Sequence, residues 1–310
     1  AKIEKKRSDG IEAVGIMTPA GDHCSIATEF IKNDVHIICD KPLSANLKNA
    51  YKLRDLVINH KIFFALTHNY SAYPMLREAR QLIKEGKIGD IRLANVEYPQ
   101  GYTAGLKNKN SEKILKWRLD PKQVGPSMIL AEIGTHSHHL LRYVTGLEVE
   151  QVSADIHSLS PELSVDDNAF LMLRLSNQAR GMIWVSSAAT GGENGLRIRV
   201  FGSKGSLDWY QDEPNSLKFT PINRPIQILT RGSSYVSNFS IKSSRLAAGH
   251  PEGFFEAFAN IYTEFAEAIY KYPKKNNNFK FPTVIDGVKG IKFIYAAKKS
   301  SNHNSRWIKL

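Results

Sequence analysis

Within the first ninety residues, apolar positions follow two alternating patterns. Glu12 to Met17 (EAVGIM), Val35 to Cys39 (VHIIC) and Ile62 to Leu66 (IFFAL) are short, nearly continuous apolar runs, as in strands buried on both faces. Between them lie helix-compatible stretches. DHCSIATEFIKN follows Thr18-Pro19, and Ser44 to His60 carries apolar residues at 47, 50, 53 and 57, which suits an amphipathic helix capped by Ser44. Such alternation predicts parallel βαβ units. After a helix around Pro74 to Glu85 and the turn Gly86-Lys87-Ile88-Gly89, the pattern changes. Residues 91 to 98 (IRLANVEY) alternate as a half-exposed strand does, and further strands are expected at 148–156, 168–175, 181–187, 196–202, 206–210 and 226–230. Their turn-like connections (SNQARG, ATGGENG, GSKGS) predict an antiparallel or mixed sheet. Helices return at about 253–271 and 284–300, with the asparagine-rich KKNNN between them as a solvated loop. The expected fold class is α/β: a parallel-sheet domain over residues 1–90, then an α/β domain with a large mixed or antiparallel sheet over 91–310.

A chain of 310 residues with 42% apolar content supports two domains with proper cores. The apolar runs are far shorter than the ~20 residues of a bilayer span, and AKIEKKRSDG has charges where a signal peptide has its apolar core. A cytoplasmic protein with no membrane partner is expected. Cys24 and Cys39 form no disulfide framework and lack the clustered spacing of a zinc site, which fits a reducing compartment. The net charge of +12 is scattered, with its densest groups at KIEKKR, LKNKNSEKILKWR and KYPKKNNNFK. Without an arginine-rich tract, a zinc finger or an RNP-type aromatic strand, no nucleic-acid partner is expected, and an anionic cofactor is a simpler use for positive potential.

Ligands of parallel sheets bind at the carboxyl ends of the strands. Three runs here end in TPAGDH, DKP and THNY; polar residues are common where strands stop, but three in succession point to a site. The other concentration of chemistry is Trp117 to Gly146. It holds a Trp-Arg pair, the turn-prone Asp120, Pro121, Gly125 and Pro126, and a helix bearing Glu132, His136, His138 and His139. At about 100° per residue, Glu132, His136, His139 and Tyr143 share one stripe. Lys41, at a strand mouth, could be held near an apolar pocket with its pKa lowered, ready to polarise a substrate oxygen. His136 is the natural proton acceptor, and Glu132, one turn earlier, could orient its ring. Two alternatives stand beside catalysis. The histidines could bind zinc from positions i, i+4 and i+7, although the HExxH order is lacking, or they could simply pack a domain interface. The joint presence of Lys41, Trp117-Arg118 and Glu132/His136 favours catalysis with no metal.

The segments EAVGIMTP, HIICDKPL, ALTHNY, WRLDP, EIGTH, ENGLRIRVFGSKGSL, AAGHPEGFFEAF and PTVIDGVKGIKFI together resemble the Gfo/Idh/MocA family of sugar, polyol and inositol oxidoreductases, from about Ile11 to the C-terminus. DKP resembles the family's Glu-Lys-Pro motif and EIGTH its Asp-x-Gly-x-His motif. The resemblance implies a Rossmann domain followed by an α/β domain, NAD or NADP as cofactor, a sugar or polyol substrate, and a homo-oligomer, dimer or tetramer. By the same resemblance, Lys41 would bind the reacting hydroxyl, His136 would take its proton as hydride leaves for the nicotinamide, and Glu132 would stand where the family has aspartate. Thr18, Pro19, His23, Asp40, Lys41, Asn69, Trp117 and Arg118 would face the cofactor. Lys41, Tyr98, Gln100, His136, His139 and Asn168 would contact the substrate.

The chain also departs from the pattern. Glu132 is one methylene longer than aspartate, Ala20 and Gly21 stand where polar residues are usual, and Pro126-Ser127-Met128 replaces a stretch that is commonly glycine-rich. No GxGxxG occurs, and the three expected strands correspond to the second half of a dinucleotide fold. Roughly 60 residues, about two βαβ units, are therefore expected to be missing before Ala1, which would leave Glu12 to Met17 as an exposed edge and impair activity. Three functions are compatible with these residues: a sugar or polyol dehydrogenase, an NAD-dependent glycoside hydrolase acting through transient oxidation, and a catalytically inactive sugar-binding or assembly protein.

Overall fold

In the computed structural model, which describes residues 1–105, 115–160, 163–271 and 279–310, the three apolar runs form one parallel sheet. Its strands β1 (Ala13–Ile16), β2 (His36–Cys39) and β3 (Phe64–Leu66) lie in that order. Ile37, Ile38, Cys39, Phe64, Ala65 and Leu66 are all buried, as a sheet covered on both faces requires. Helices α1 (Ala20–Ile31) and α2 (Leu47–Asn59) make the crossovers. The expected cap of α2 is corrected: Asn46 accepts from the Asn49 N–H at 2.9 Å, while the Ser44 hydroxyl donates to the Asn46 carbonyl and shapes the turn ahead of the helix. Helix α3 (Pro74–Lys84) follows the third strand.

The second sheet is built on β4 (Ile91–Pro99), β5 (Val149–His157), β6 (Asn168–Leu175), β7 (Arg180–Ser186), β8 (Arg197–Gly202), β9 (Gly205–Tyr210), β10 (Ser216–Pro221), β11 (Gln227–Thr230) and β12 (Ile308–Lys309). Among the described residues the strand order is β11-β10-β9-β8-β4-β7-β6-β5-β12. The sheet is mixed because central β4 pairs in parallel with β7 and antiparallel with β8. Strands β10 and β12 were not expected: Ser216–Pro221 ends at a proline, and two residues are too few to show alternation.

Alternation along β4 buries Ala94, Val96 and Tyr98 and leaves Leu93 exposed. The buried face is covered by α4 (Thr135–Thr145), α3 and α6 (Val284–Ser301); the other face shows Leu93, Phe170 and Met172 to solvent. Helix α5 (Phe254–Tyr270) packs on the turn after β3. Helix α6 reaches both sheets, contacting α2 and β3 as well as β5. It passes so close to the turn after Lys41 that a Cβ on Gly287 would lie 2.7 Å from the Leu43 side chain. No helix among the described residues is long and apolar enough to cross a membrane. Residues 106–114 and 272–278, which hold most of two basic runs and the KKNNN stretch expected as a loop, lie outside the described residues.

Candidate active site

The carboxyl ends of β2 and β3 face the start of α4 across a cavity of about 320 Å³. The chain enters α4 through a π-helical turn at Leu130–Gly134, where the Thr135 N–H reaches back to the Leu130 carbonyl. The turn suits Gly134, since a Cβ there would meet the Leu130 side chain at 2.7 Å. π-Turns carry more residues than α-turns and recur at functional sites. This one changes the spacing between Glu132 and the stripe of His136, His139 and Tyr143, which lie beyond it in the regular helix.

Lys41 stands two residues beyond Cys39, where β2 ends. Its ammonium donates to the Glu132 carbonyl and, at 3.5 Å, to that of Ala131. Backbone oxygens of the π-turn therefore hold the lysine against α4. Burial lowers its pKa from the ordinary value, with the Glu132 carboxylate resisting the shift. Asp40 accepts from the Thr67 hydroxyl at 2.8 Å, which ties the ends of β2 and β3 together.

The Glu132 carboxylate takes Arg118 as its partner. Arg118 Nη2 donates to Glu132 Oε1 at 2.9 Å, and the guanidinium lies 4.5 Å from the centre of the Trp117 ring. Burial pushes the Glu132 carboxyl up, but Lys41 and Arg118 outweigh it and hold the pKa below its usual value. The expected contact between Glu132 and His136 is thereby corrected: His136 Nδ1 is buried with no hydrogen-bond partner. Edge-on packing holds the ring instead, against Tyr70 at 5.1 Å and His68 at 5.6 Å between centroids. Burial, then the charge of Lys41, sets the His136 pKa well below the ordinary imidazole value. The ring is neutral near pH 7 and free to accept a proton.

A polar run continues along the wall. Tyr98 Oη donates to Asn194 Oδ1 at 3.3 Å, so Tyr70 donates to Tyr98 at 2.6 Å, while Gln100 Nε2 donates to the same Asn194 oxygen at 2.6 Å. Asn69 also lines the cavity, buried, with neither its amide oxygen nor its nitrogen partnered. The expected residues Asp40, Lys41, Asn69, Tyr98, Gln100, Glu132 and His136 thus share one cavity. Thr67, Tyr70, Asn194, Gln211, Phe254 and Phe258 also line it, though the sequence did not single them out. Tyr70, Asn194 and the two phenylalanines lie inside the motifs THNY, ENGLRI and GFFEAF, but nothing local aims them at Lys41.

Other expected residues lie elsewhere. His139 is not among the residues that line this cavity: it is stacked on His68 at 4.3 Å. Asn168 is likewise buried away from the cavity, where its Oδ1 accepts from Trp184 Nε1 at 3.2 Å. His23 lies between the carbonyls of Thr18 at 2.8 Å and Pro42 at 3.0 Å. It is a buried tie between two strand-end loops. Thr18 is exposed and Pro19 half-buried at the start of α1. The imidazoles of α4 diverge, His138 stacking on Phe293 and His139 on His68. No cluster suited to a metal ion occurs among the described residues.

Residues 3–68 match the model of an oxidoreductase family with an NAD-binding Rossmann fold, and residues 76–208 match the GFO/IDH/MocA C-terminal domain. The chain is 34% identical to the uncharacterized oxidoreductase YfiI of Bacillus subtilis, over 98% of this chain and 79% of that protein. It is 28% identical to the levoglucosan dehydrogenase of Pseudarthrobacter phenanthrenivorans, over 67% of this chain but only 57% of the relative. Among solved structures, an inositol dehydrogenase homolog from Azotobacter vinelandii complexed with NAD+ superposes with a TM-score of 0.94 at 30% identity, covering 100% of this chain and 81% of the other. An oxidoreductase from Sinorhizobium meliloti gives a TM-score of 0.89 at 41% identity, with 99% and 82% covered. Motifs, fold, family models and identity over 98% of the chain agree that this chain belongs to the Gfo/Idh/MocA family of oxidoreductases.

Proposed function

We propose that the chain is an NAD(P)-dependent dehydrogenase of a cyclic sugar or polyol. Residues 1–90 would carry the nicotinamide side of the cofactor site, and residues 91–310 would hold the substrate and join copies through the outer face of the large sheet. The observation that carries this reading is the meeting of Lys41 with an unpartnered, neutral His136 in one cavity at the strand ends. The setting suits a nicotinamide: parallel strand ends open on it, and the unpartnered Asn69 amide offers both N–H donors and an acceptor oxygen. Asp40, Asn69, Trp117 and Arg118 would border the cofactor, with Thr18 and Pro19 at the helix that follows the first strand. When bound, the nicotinamide accepts the hydride.

The chain's own residues handle the proton. Lys41 has three donors; two face backbone carbonyls, and the third is free for the reacting hydroxyl. A hydroxyl held there loses its proton to neutral His136, and the ammonium stabilises the oxygen as negative charge develops. The buried free thiols Cys24 and Cys39 fit a reducing compartment such as the cytoplasm. The test is to follow NADH or NADPH formation across a panel of neutral sugars and inositols, with cofactor affinity measured by calorimetry. Turnover of at least one compound is expected. Sugar binding with no cofactor affinity would favour an inactive binding protein, and release of free sugar without net cofactor reduction would favour glycoside hydrolysis.

A pH profile follows from the same geometry. Activity requires His136 neutral and Lys41 protonated, and both pKa values are depressed. The acid limb of kcat/KM is therefore expected below the ordinary imidazole pKa of about 6.5, and the alkaline limb below the ordinary lysine value of about 10.4. An acid limb at or above about 6.5 would remove His136 as the base.

A further inference from the structure

Beyond the reacting centre, the groups available to a ligand are uncharged. Asn69, Gln100, Asn194 and Gln211 supply amides and Tyr98 a phenol, groups that hydrogen-bond hydroxyls in either direction. Phe254 and Phe258, one turn apart on α5 with centroids 5.0 Å apart, add an apolar portion to the same wall. The charged side chains on the wall are two carboxylates, Asp40 and Glu132, against one ammonium, Lys41. That ammonium already points at the Glu132 and Ala131 carbonyls, and the nearby Arg118 is paired with Glu132. Phosphate and carboxylate ligands are favoured by a free guanidinium or ammonium, and beyond the Lys41 donor held for the reacting hydroxyl none lines this cavity among the described residues. At about 320 Å³ the cavity also lies near the small end of ligand pockets, about 300–1,000 Å³.

We propose that this cavity selects an uncharged monocyclic sugar or polyol, whose C–H face lies on Phe254 and Phe258, and rejects phosphorylated or carboxylate-bearing versions of the same ring. The proposal rests on the dehydrogenase reading for its reaction but not for its selectivity, which is a property of the wall. An anionic group enters beside the carboxylates of Asp40 and Glu132 and finds, among the described residues, no free cation on the wall beyond the reacting centre, and like charges brought together without compensation are strongly disfavoured.

The experiment compares glucose and myo-inositol with glucose 6-phosphate and glucuronate, first in turnover and then in calorimetric titration of the protein alone. At least one neutral ring is expected to exceed both anions in kcat/KM or affinity by about 100-fold or more. An anion equal to or better than the neutral rings overturns the proposal, and so does failure of every neutral ring to bind. Absence of turnover with selective neutral binding intact would sink the dehydrogenase reading and leave the selectivity standing. A second variant checks the cause. Glu132→Gln keeps the shape, removes one wall charge and frees Arg118, so the preference for neutral rings is expected to narrow by about tenfold or more; an unchanged ratio would overturn the electrostatic basis.

Discussion

Replacing Lys41 with methionine is expected to lower kcat/KM by about 10²–10⁴-fold, the range of a lost acid–base group, with little change in the melting temperature. Methionine keeps most of the unbranched apolar stem and loses the ammonium. The carbonyls of Ala131 and Glu132 then lack their donor, and the reacting oxygen lacks its stabilising charge. Arginine is not expected to rescue, because its planar fork is longer and cannot present a single point charge at the same place. The variant also changes its neighbours with a definite sign. Lys41 is among the causes that depress the His136 pKa, so its removal lets that pKa rise, an upward shift that NMR titration of the imidazole would register. Turnover that survives the substitution would take Lys41 out of the reaction, and an unmoved His136 titration would deny the coupling between the two groups.

The largest expected loss of stability comes from Arg231→Met. Arg231 and Glu252 are paired at 2.9 Å with side chains only 2% and 1% exposed. The guanidinium also donates to the carbonyls of Leu246 at 2.8 Å and Ala247 at 2.9 Å, to that of His250, and to Asn215 Oδ1 at 2.8 Å. Removing it leaves a buried carboxylate with, among the described residues, only the Arg245 and Leu246 amides to stabilise it. Breaking such a pair from one side costs about 3–5 kcal/mol, which urea denaturation would read as a shift in midpoint. The loop it binds runs straight into α5 at Phe254, so substrate KM is expected to rise in step. Arg231→Met combined with Glu252→Leu should recover part of the loss, since a buried apolar pair carries no desolvation penalty. A loss below about 1 kcal/mol, the value of an exposed pair, would mean that water reaches the pair in solution.

Read along the chain, these side chains differ in how visible they are. Ile37, Ile38 and Cys39 announce a buried strand because its neighbours in sequence are also its neighbours in the pattern, and a polar DKP at the end of such a strand marks Lys41 as a candidate. The π-turn is not visible in this way. Nothing in LAEIG distinguishes it from an α-turn at the level of periodicity, and the regular spacing assumed up to α4 therefore misplaced Glu132 relative to His136. Arg231 and Glu252 look like ordinary surface charges until the fold encloses them.

The alternation of short apolar runs and amphipathic helices, a local property of successive residues, by itself determined the parallel three-stranded sheet, the strand-rich second half and the placing of Lys41 and His136 in two separate signatures. Only the tertiary structure decided what those signatures face. Lys41 meets the Glu132 carbonyl from 91 positions away, Glu132 turns to Arg118 rather than His136, and Phe254 arrives at the same cavity from the far end of the chain. Contacts of that separation are set by how two sheets and helix α6 pack together, and packing responds to shape and burial across the whole molecule rather than to any period in the sequence.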